Sequence, residues 1–427
     1  MEKKDIQNQI EELVKQYFSG NEYKFVPGET KLPLNAPTFG ADEVNDAIES
    51  LLTTWVTMGK KVYKFEELFS NYIGTKYSTM VNSGSSANLL ALAILANPSV
   101  SNHIKKGEEV IAPAVTWSTT IWPIADVGAI PVLVDIDTDT FSINLDSIEA
   151  AITDKTRAIM PVHLLGMPCD MKAIMEISEK HGLYVVEDCC EAHGAEFEGK
   201  KVGSFGDLSA FSFFFSHHIT TMEGGMVLTN NEEFSELSKP LRAHGWIREM
   251  SEKRKDELIK KYSDIDKRFF FINSGFNVRP TDLQGAFGIH QIKKLEDFIE
   301  IRRVNADFWT KRLEEHSDYF SIHKEKRGRS VWFGYPITIK PDAPFKRKEL
   351  VDFLESKNIE TRPIMAGNVA EQPAIKFVDH KVSGDLKNSK FVMRNSFFFG
   401  NHQGIGKEER EYIADCFDDF IKRVCKK

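Results

Sequence analysis

Between about residue 42 and residue 300, apolar strand-like runs alternate with helical patterns, and this alternation constrains the fold more than any other feature. Helical periodicity is present in TTIWPIADVGA, LDSIEAAIT and MKAIMEISEKHG. The strand-like runs are EEVIAPAV, IPVLVDID, RAIMPVHLL, LYVVEDCC and LSAFSFFFS. Such alternation predicts an α/β fold, a mostly parallel sheet with helices on both faces. In a sheet of this kind, ligands bind at the carboxyl ends of the strands.

The two ends of the chain have different patterns. Apolar residues recur at helical spacing near the start, and prolines follow, which predicts an amphipathic helix and an irregular connector over residues 1–40. We expect a large domain over residues 41–315 and a smaller C-terminal α+β domain over residues 316–427, where short strand-like runs precede a final helix. The charged segment 249–268 is typical of a solvated helix.

Composition argues against several classes of function. The net charge of −8 disfavours a nucleic-acid or anionic-membrane partner. No apolar run reaches membrane-spanning length, and the charged N-terminus does not resemble a signal peptide. The five cysteines include no C-x-x-C pair. This usage disfavours a zinc site or a disulfide framework and favours a reducing cytoplasm.

The stretch MVNSGSSANLLALAIL places a small polar loop between a predicted strand and a predicted helix. The strand is expected to end near Val81 and the helix to begin near Ala87. Gly84, Ser85 and Ser86 would then bring N–H groups and hydroxyls to a helix N-terminus, where phosphate binds well. An ordinary serine N-cap explains these residues equally well. The chain contains neither a dinucleotide fingerprint nor a P-loop motif.

Two further strand ends carry residues suited to a flat, charged ligand. Asp188 ends the apolar run of LYVVEDCC, where a carboxylate is costly without a partner. A protonated ring nitrogen would be such a partner, and a loop-capping role is the alternative. Trp117 follows another strand and could stack on a flat ring. A core position is the commoner role for a lone tryptophan.

In the stretch SFFFSHHITTMEGG, an apolar run stops at a serine and two histidines, His217 and His218. Two imidazoles are rare at such a position as simple core residues, because each needs hydrogen-bond partners. Histidine titrates at about 6.5 and therefore suits proton transfer. Metal binding is the weaker interpretation, since adjacent strand residues point to opposite faces.

Taken in order, GSSANLL, TWSTT, VVEDCCEA, SFFFSHHITTMEGG and SGFNVRP resemble the DegT/DnrJ/EryC1 family of sugar-modifying aminotransferases, which are pyridoxal-phosphate (PLP) enzymes of fold type I. The resemblance runs from about residue 35 to the end of the chain. It implies a mostly parallel seven-stranded sheet with helices on both faces, plus a smaller C-terminal α+β domain. It also implies PLP or pyridoxamine phosphate (PMP) as cofactor, L-glutamate as cosubstrate, and a homodimer with shared active sites.

The chain departs from the family's pattern at one position. In the aminotransferases this strand reads like S-F-H-x-x-K-N, and its lysine binds the cofactor covalently. Counting five residues from Ser212 gives His217, and no lysine lies between Lys201 and Lys239. Two branches of the family carry such a histidine, and both are 3-dehydratases of nucleotide-linked 4-keto-6-deoxyhexoses. One holds an iron–sulfur cluster, which segment 242–276 cannot ligate because it lacks cysteine; the other acts on a GDP-linked sugar in colitose formation.

The resemblance also implies individual roles. His217 would be the general base. Asp188 would bind the pyridine nitrogen of the cofactor, Trp117 would stack on its ring, and Glu191 would lie near its phenolic oxygen. The residues implied to bind the cofactor phosphate are Gly84, Ser85, Ser212 and, from the neighbouring subunit, Asn277. Candidates for binding a carboxylate or a diphosphate are Arg248, Arg279 and Arg362.

The predicted reaction is therefore PLP- or PMP-dependent removal of the C3 hydroxyl from a nucleotide-linked 4-keto-6-deoxyhexose. GDP-4-keto-6-deoxymannose is the favoured substrate, and no iron–sulfur cluster is expected. Two alternatives stay open: a nucleotide-sugar 4-aminotransferase that uses histidine in the lysine position, and a non-catalytic sugar-nucleotide-binding homologue.

Overall fold

The computed structural model of the protein describes residues 2–20, 23–323, 325 and 328–424. The α-helices in these residues are α1 (Lys3–Ser19), α2 (Ala41–Leu52), α3 (Lys60–Ile73), α4 (Gly84–Leu95), α5 (Ser118–Asp126), α6 (Leu145–Ala151), α7 (Met171–His181), α8 (Glu232–Arg242), α9 (Glu252–Lys261), α10 (Asp282–Leu313), α11 (Arg347–Ser356), α12 (Lys387–Asn395) and α13 (Lys407–Val424).

The strands in the described residues are β1 (Tyr77–Val81), β2 (Glu109–Pro113), β3 (Ile130–Val134), β4 (Thr156–Ile159), β5 (Tyr184–Asp188), β6 (Glu196–Phe197), β7 (Lys200–Lys201), β8 (Leu208–Ser212), β9 (Gly225–Thr229), β10 (Phe320–Ser321), β11 (Gly328–Arg329), β12 (Gly334–Ile339), β13 (Thr361–Pro363), β14 (Lys381–Val382) and β15 (Ser396–Gly400).

The largest sheet has the order β1-β9-β8-β5-β4-β2-β3-β14. Its neighbouring strands are parallel except at β9, which runs antiparallel to β1 and β8. The predicted mostly parallel sheet is confirmed. It has eight strands instead of seven, because the two-residue strand β14 from the C-terminal region pairs with the edge strand β3.

Helices pack on both faces of this sheet. Val185 and Val186, successive residues of β5, belong to two different apolar clusters because side chains alternate along a strand. The cluster around Val185 includes Phe65 of α3, whereas the cluster around Val186 includes Leu90 of α4 and Leu241 of α8. The central strands β2, β8 and β9 are buried along their full length.

The C-terminal region forms a second, antiparallel sheet in the order β10-β12-β15-β13. Its core contains Tyr335 and Phe399 of the sheet, Phe417 of α13 and Trp309 of α10. Helix α10 is 32 residues long and also places Leu295 in the cluster under the large sheet. The same helix therefore contributes to both cores, and the domain limits at residues 40 and 315 stay predictions.

Two predicted boundaries are wrong in position. Strand β8 ends at Ser212, so the run through Phe215 is not all strand. After Ser212 the chain turns, because the N–H of His217 bonds to the Phe214 carbonyl. Helix α4 begins at Gly84 and not near residue 87, because Ser83 caps it.

Both predicted peripheral helices are present. Helix α1 has no fully buried residue, and it packs against α2. Helix α9 is the predicted solvated insertion; Leu258 is its one buried residue. No described helix combines the length and the apolar character that crossing a membrane requires.

Candidate active site

A cavity of about 390 Å³ opens at the carboxyl ends of β5 and β8. Phe333, Met365 and Phe398 from the C-terminal region complete its wall, and Leu34 and Asn35 of the connector also line it. Seven residues singled out from the sequence line this cavity: Gly84, Ser85, Trp117, Asp188, Glu191, Ser212 and His217.

The N-terminus of α4 forms one end of the cavity. Ser83 is the N-cap, and its Oγ accepts a hydrogen bond from the N–H of Ser86 at 3.1 Å. A Cβ atom at Gly84 would lie 2.4 Å from the Cβ of Ser212, so only glycine allows this helix end to approach β8 so closely. The serine cap and the anion site proposed from the sequence are therefore compatible. Gly84 and Ser85 at a helix N-terminus, with the Ser212 hydroxyl, fit a phosphate.

Asp188 is buried at the end of β5, and three groups orient its carboxylate. One oxygen accepts from Asn88 Nδ2 at 2.9 Å and from Thr120 Oγ1 at 2.8 Å. The other accepts from the N–H of Cys190 at 3.1 Å. This arrangement suits a carboxylate that binds a ring N–H, and the bond to Cys190 shows that it also caps the loop.

Asn88 and Thr120 were not identified from the sequence. Each lies near the start of a helix that begins at the same edge of the sheet, Asn88 in α4 and Thr120 in α5. Both residues are polar and buried, and a buried polar side chain is costly without a hydrogen-bond partner. A polar residue on the buried side of a helix was therefore the sequence signal that could have identified them.

Behind Asp188, His163 and Glu187 form a buried network that braces β5. His163 Nε2 lies 3.2 Å from a Glu187 oxygen, and its Nδ1 accepts from the N–H of Cys169 at 3.0 Å. Glu187 also accepts backbone N–H bonds from the loop 203–206. These residues cluster with Cys189 closely enough to suggest a metal site. Their nitrogen and oxygen atoms are already hydrogen-bonded, so we interpret the cluster as structural.

Trp117 precedes α5 and lines the cavity with its side chain 57% exposed. The alternative that it is a core residue is therefore wrong. An exposed indole in the wall of a cavity is available to stack on a planar ring.

Glu191 lies three residues after Asp188 and also lines the cavity. Its carboxylate accepts one hydrogen bond, from the N–H of Leu165 at 2.8 Å. Burial raises the pKa of Glu191 to about 8. Glu191 is therefore mainly protonated at neutral pH and can donate a hydrogen bond to an anionic oxygen in the cavity.

His217 lies in the turn after β8 and lines the cavity. Its ring is 5.3 Å from the ring of Phe333 and 6.4 Å from that of Phe214. Burial, with a smaller contribution from the Arg302 cation, lowers the pKa of His217 to about 3. The imidazole is thus neutral at physiological pH, as a general base must be before it accepts a proton.

His218, the second histidine, is fully buried and does not line the cavity. Its Nε2 lies 3.0 Å from the Val331 carbonyl oxygen and donates to it. The two adjacent histidines therefore differ in function, because one faces the cavity and the other ties this turn to the C-terminal region.

The remaining predicted residues lie outside the cavity of their own chain. Asn277 is exposed and accepts a hydrogen bond from Arg279 Nε at 3.2 Å. Arg248 packs over the ring of Trp246, and Arg362 forms an ion pair with Glu360 at 2.7 Å.

Comparison with known proteins extends these observations. The family model described as the DegT/DnrJ/EryC1/StrS aminotransferase family matches residues 37–418. The GDP-4-keto-6-deoxy-D-mannose 3-dehydratase of Yersinia pseudotuberculosis is 42% identical over 372 residues, which cover 87% of this chain and 94% of that protein.

Two solved structures of GDP-4-keto-6-deoxymannose-3-dehydratase are also similar. One has bound GDP-perosamine; it is 38% identical with a TM-score of 0.84 and covers 90% of this chain and 99% of its own. The other has a trapped PLP–glutamate geminal diamine; it is 37% identical with a TM-score of 0.83 and the same coverage. The chain belongs to the DegT/DnrJ/EryC1/StrS aminotransferase family, with the fold of its PLP-dependent members.

Proposed function

We propose that this chain is a PLP-dependent 3-dehydratase that removes the C3 hydroxyl of GDP-4-keto-6-deoxymannose and uses L-glutamate as amino donor. The observation that carries this proposal is His217, a neutral imidazole in the cavity at the position where the family's aminotransferases have lysine. The similarity to dehydratases with bound GDP-sugar and with PLP and glutamate supports it.

The cavity fits the cofactor because its donor set matches each part of PLP. The N-terminus of α4 and Ser212 would hold the phosphate. Asp188 would accept the N–H of the pyridine ring, and Trp117 would stack on the ring face. When bound, the cofactor supplies an amine that can condense with the sugar ketone and a ring that accepts electrons.

His217 would move the proton. Its cavity-facing nitrogen would accept a proton from carbon and return it to the C3 oxygen of the sugar, which then leaves as water. Phe214 and Phe333 flank the imidazole and limit water around it. An imidazole cannot bind the cofactor covalently as a lysine does. A lysine here would return the proton to the sugar carbon and complete an amination.

Glu191 would assist from the side of the phenolic oxygen. Because burial keeps its pKa near 8, its carboxyl group holds a proton at neutral pH. It can therefore donate that proton in a hydrogen bond, as the glutamine or histidine more usual at this family position does.

We also propose a homodimer in which each site is completed by the partner. Asn277 and Arg279 are bonded to each other and lie away from the cavity of their own chain, so they can act only in another subunit's site if they bind cofactor or substrate. Arg248 and Arg362 are candidates for the diphosphate of the nucleotide. The described cysteines are free thiols, which supports a cytoplasmic location.

The function is tested by incubating the protein with PLP, L-glutamate and a panel of GDP-, CDP- and TDP-linked 4-keto-6-deoxyhexoses, followed by product mass measurement. We expect the GDP-linked sugar to lose one oxygen atom while glutamate becomes 2-oxoglutarate. The His217→Asn variant is the control and should form product roughly 10²–10⁴-fold more slowly. A product that gains an amine would instead identify an aminotransferase. Absence of any glutamate-dependent spectral change would favour a non-catalytic protein.

A further inference from the structure

Arg302, in the middle of α10, is a buried cation with no carboxylate partner among the described residues. Its side chain is 1% exposed. Its Nη1 donates to the carbonyl oxygens of Phe333 at 3.0 Å, Trp332 at 3.4 Å and Asn401, and its Nε has no hydrogen-bond partner. Burying a charge that only carbonyl dipoles compensate is costly and strengthens its effect on neighbouring groups.

The segment that Arg302 binds also contacts the two histidines. The Val331 carbonyl accepts from His218, and the ring of Phe333 lies 5.3 Å from that of His217 and 5.9 Å from that of His218. Residues 331–333 therefore contact both the guanidinium and the two imidazoles. In a buried region, where little water screens charge, a cation disfavours a second positive charge nearby.

The hydrogen-bonding pattern of the imidazoles agrees with this effect. The Nδ1 atoms of His217 and His218 are buried without a partner. Protonating either ring fully would leave a buried N–H unsatisfied beside Arg302. His193, whose ring lies 6.0 Å from that of His217, is also buried, and burial lowers its pKa.

Titratable groups face His217 from two sides, the protein interior and the cavity. The groups on the interior side are His193, His218 and Arg302. The groups in the cavity wall are Asp188, Cys190, Glu191 and Glu223. Burial lowers the pKa of His193 and of His218, as it does that of His217. The positive charge of Arg302 lowers the pKa of all three imidazoles further. Burial lowers the pKa of Arg302 to about 9, so at neutral pH the buried side carries one positive charge and neutral rings.

We propose that Arg302 is a positioning residue for the dehydration: its uncompensated charge adds to burial in keeping His217 neutral before the reaction and drives the proton that His217 accepts onward to the departing C3 hydroxyl. This inference rests on the proposed function. The proton taken from carbon leaves His217 for the hydroxyl oxygen, and the C3–O bond breaks to release water, so the imidazole ends neutral as it began.

The test is an NMR pH titration of the full-length enzyme with its cofactor, made with ¹⁵N-labelled histidine and the His217 signal assigned from the His217→Asn variant. In the unaltered enzyme, His217 should keep the neutral pattern down to at least pH 5. In Arg302→Met its midpoint should rise by roughly one pH unit or more. Arg302→Lys keeps a charge at this position and should restore the low midpoint.

Arg303 offers a matched control on the same helix. It binds the Ser330 carbonyl at 2.8 Å next to the same segment, but Glu325 compensates its charge. Arg303→Met should leave the His217 midpoint unchanged. Equal midpoints in the unaltered enzyme and Arg302→Met would overturn the inference. If Arg302→Met does not fold, an ordinary His217 midpoint of about 6.5 in the unaltered enzyme or in Arg302→Lys would overturn the inference.

The titration requires no substrate, so it separates this inference from the proposed function. A low His217 midpoint that Arg302→Met raises, in a protein that dehydrates no sugar, would support the electrostatic role and contradict the function. Dehydration by an enzyme whose His217 titrates normally would support the proposed function and contradict the electrostatic role of Arg302. The pH dependence of kcat gives a second readout, because its acidic limb should move to higher pH in Arg302→Met and not in Arg303→Met.

Discussion

At the scale of single residues, the site depends on which groups carry a proton at neutral pH. His217 is held neutral and Glu191 is held protonated, in both cases chiefly because burial disfavours the charged form. A neutral base and a neutral acid therefore face the same cavity. This pairing suits a reaction that takes a proton from carbon while charge develops on a ring oxygen.

The first prediction concerns the identity of the base. His217→Lys should abolish dehydration, because the lysine amine binds the cofactor covalently and returns protons to the sugar carbon. A visible absorbance from the covalently bound cofactor should appear and should disappear on reduction with borohydride. The asparagine of His217→Asn can neither bind the cofactor covalently nor accept a proton. This variant should therefore lower kcat by roughly 10²–10⁴-fold without that absorbance. Dehydration that persists in His217→Lys would show that another group is the base.

The second prediction concerns Glu191 and stability. Its pKa is about 8 when folded and about 4.3 when unfolded, so between these values the folded state binds one more proton. The contribution of Glu191 to the free energy of unfolding is fully present below pH ~4.3 and is lost as the pH rises through its folded-state pKa. From pH 7 to pH 9, the unaltered protein should lose about 1 kcal/mol more free energy of unfolding than Glu191→Gln. Urea unfolding at both pH values measures the difference, and equal losses would mean that Glu191 is ionised when folded.

At the scale of elements, the end of β8 and the start of α4 form one unit. Glycine at residue 84 lets the helix N-terminus approach Ser212. Gly225 of β9 passes just as close to the Ser83 carbonyl, where a Cβ atom would collide with the oxygen. Two glycines therefore determine how near the helix dipole lies to the cavity.

The third prediction tests this contact. Gly84→Ala adds a methyl group 2.4 Å from the Ser212 Cβ and should displace the helix end, at a cost of about 1–3 kcal/mol in PLP binding. Fluorescence titration of the cofactor measures the affinity. Gly40→Ala, at the start of α2, is the control because its added methyl group meets nothing within 4 Å. Unchanged affinity in Gly84→Ala would place the phosphate elsewhere.

At the scale of the whole molecule, several large apolar side chains stay exposed. Phe215, in the turn after β8, is 52% exposed, and Phe269 and Phe271 are 70% and 52% exposed in the segment after α9. Isolated exposed aromatic residues are ordinary, but groups of them near a cavity are typical of interfaces. The exposure agrees with the proposed homodimer.

The fourth prediction tests shared sites by mixing two inactive variants. In a hybrid of His217→Asn with Asn277→Ala, one site receives an intact His217 from one subunit and an intact Asn277 from the other. Random exchange should then restore roughly a quarter of full activity, since half the dimers are hybrids with one complete site. If Asn277 acts within its own chain, the mixture should stay inactive. Each variant exchanged with itself is the control.

The sequence by itself determined the α/β alternation, the order of the motifs and the histidine in the lysine position. These follow from local pattern, because strand and helix periodicities and the spacing from Ser212 to His217 are properties of neighbouring residues. It also located Gly84, Ser85, Trp117, Asp188 and Glu191, all of which end or follow strands and therefore meet at one edge of the sheet.

Only the tertiary structure decided that His218 binds the Val331 carbonyl, that Asn88 and Thr120 orient Asp188, and that Arg302 contacts the segment behind the base. These contacts join residues far apart in the chain. Their effect on charge depends on burial and on distance across the fold, because electrostatic interactions strengthen where water is excluded, and no local pattern in the sequence records either quantity.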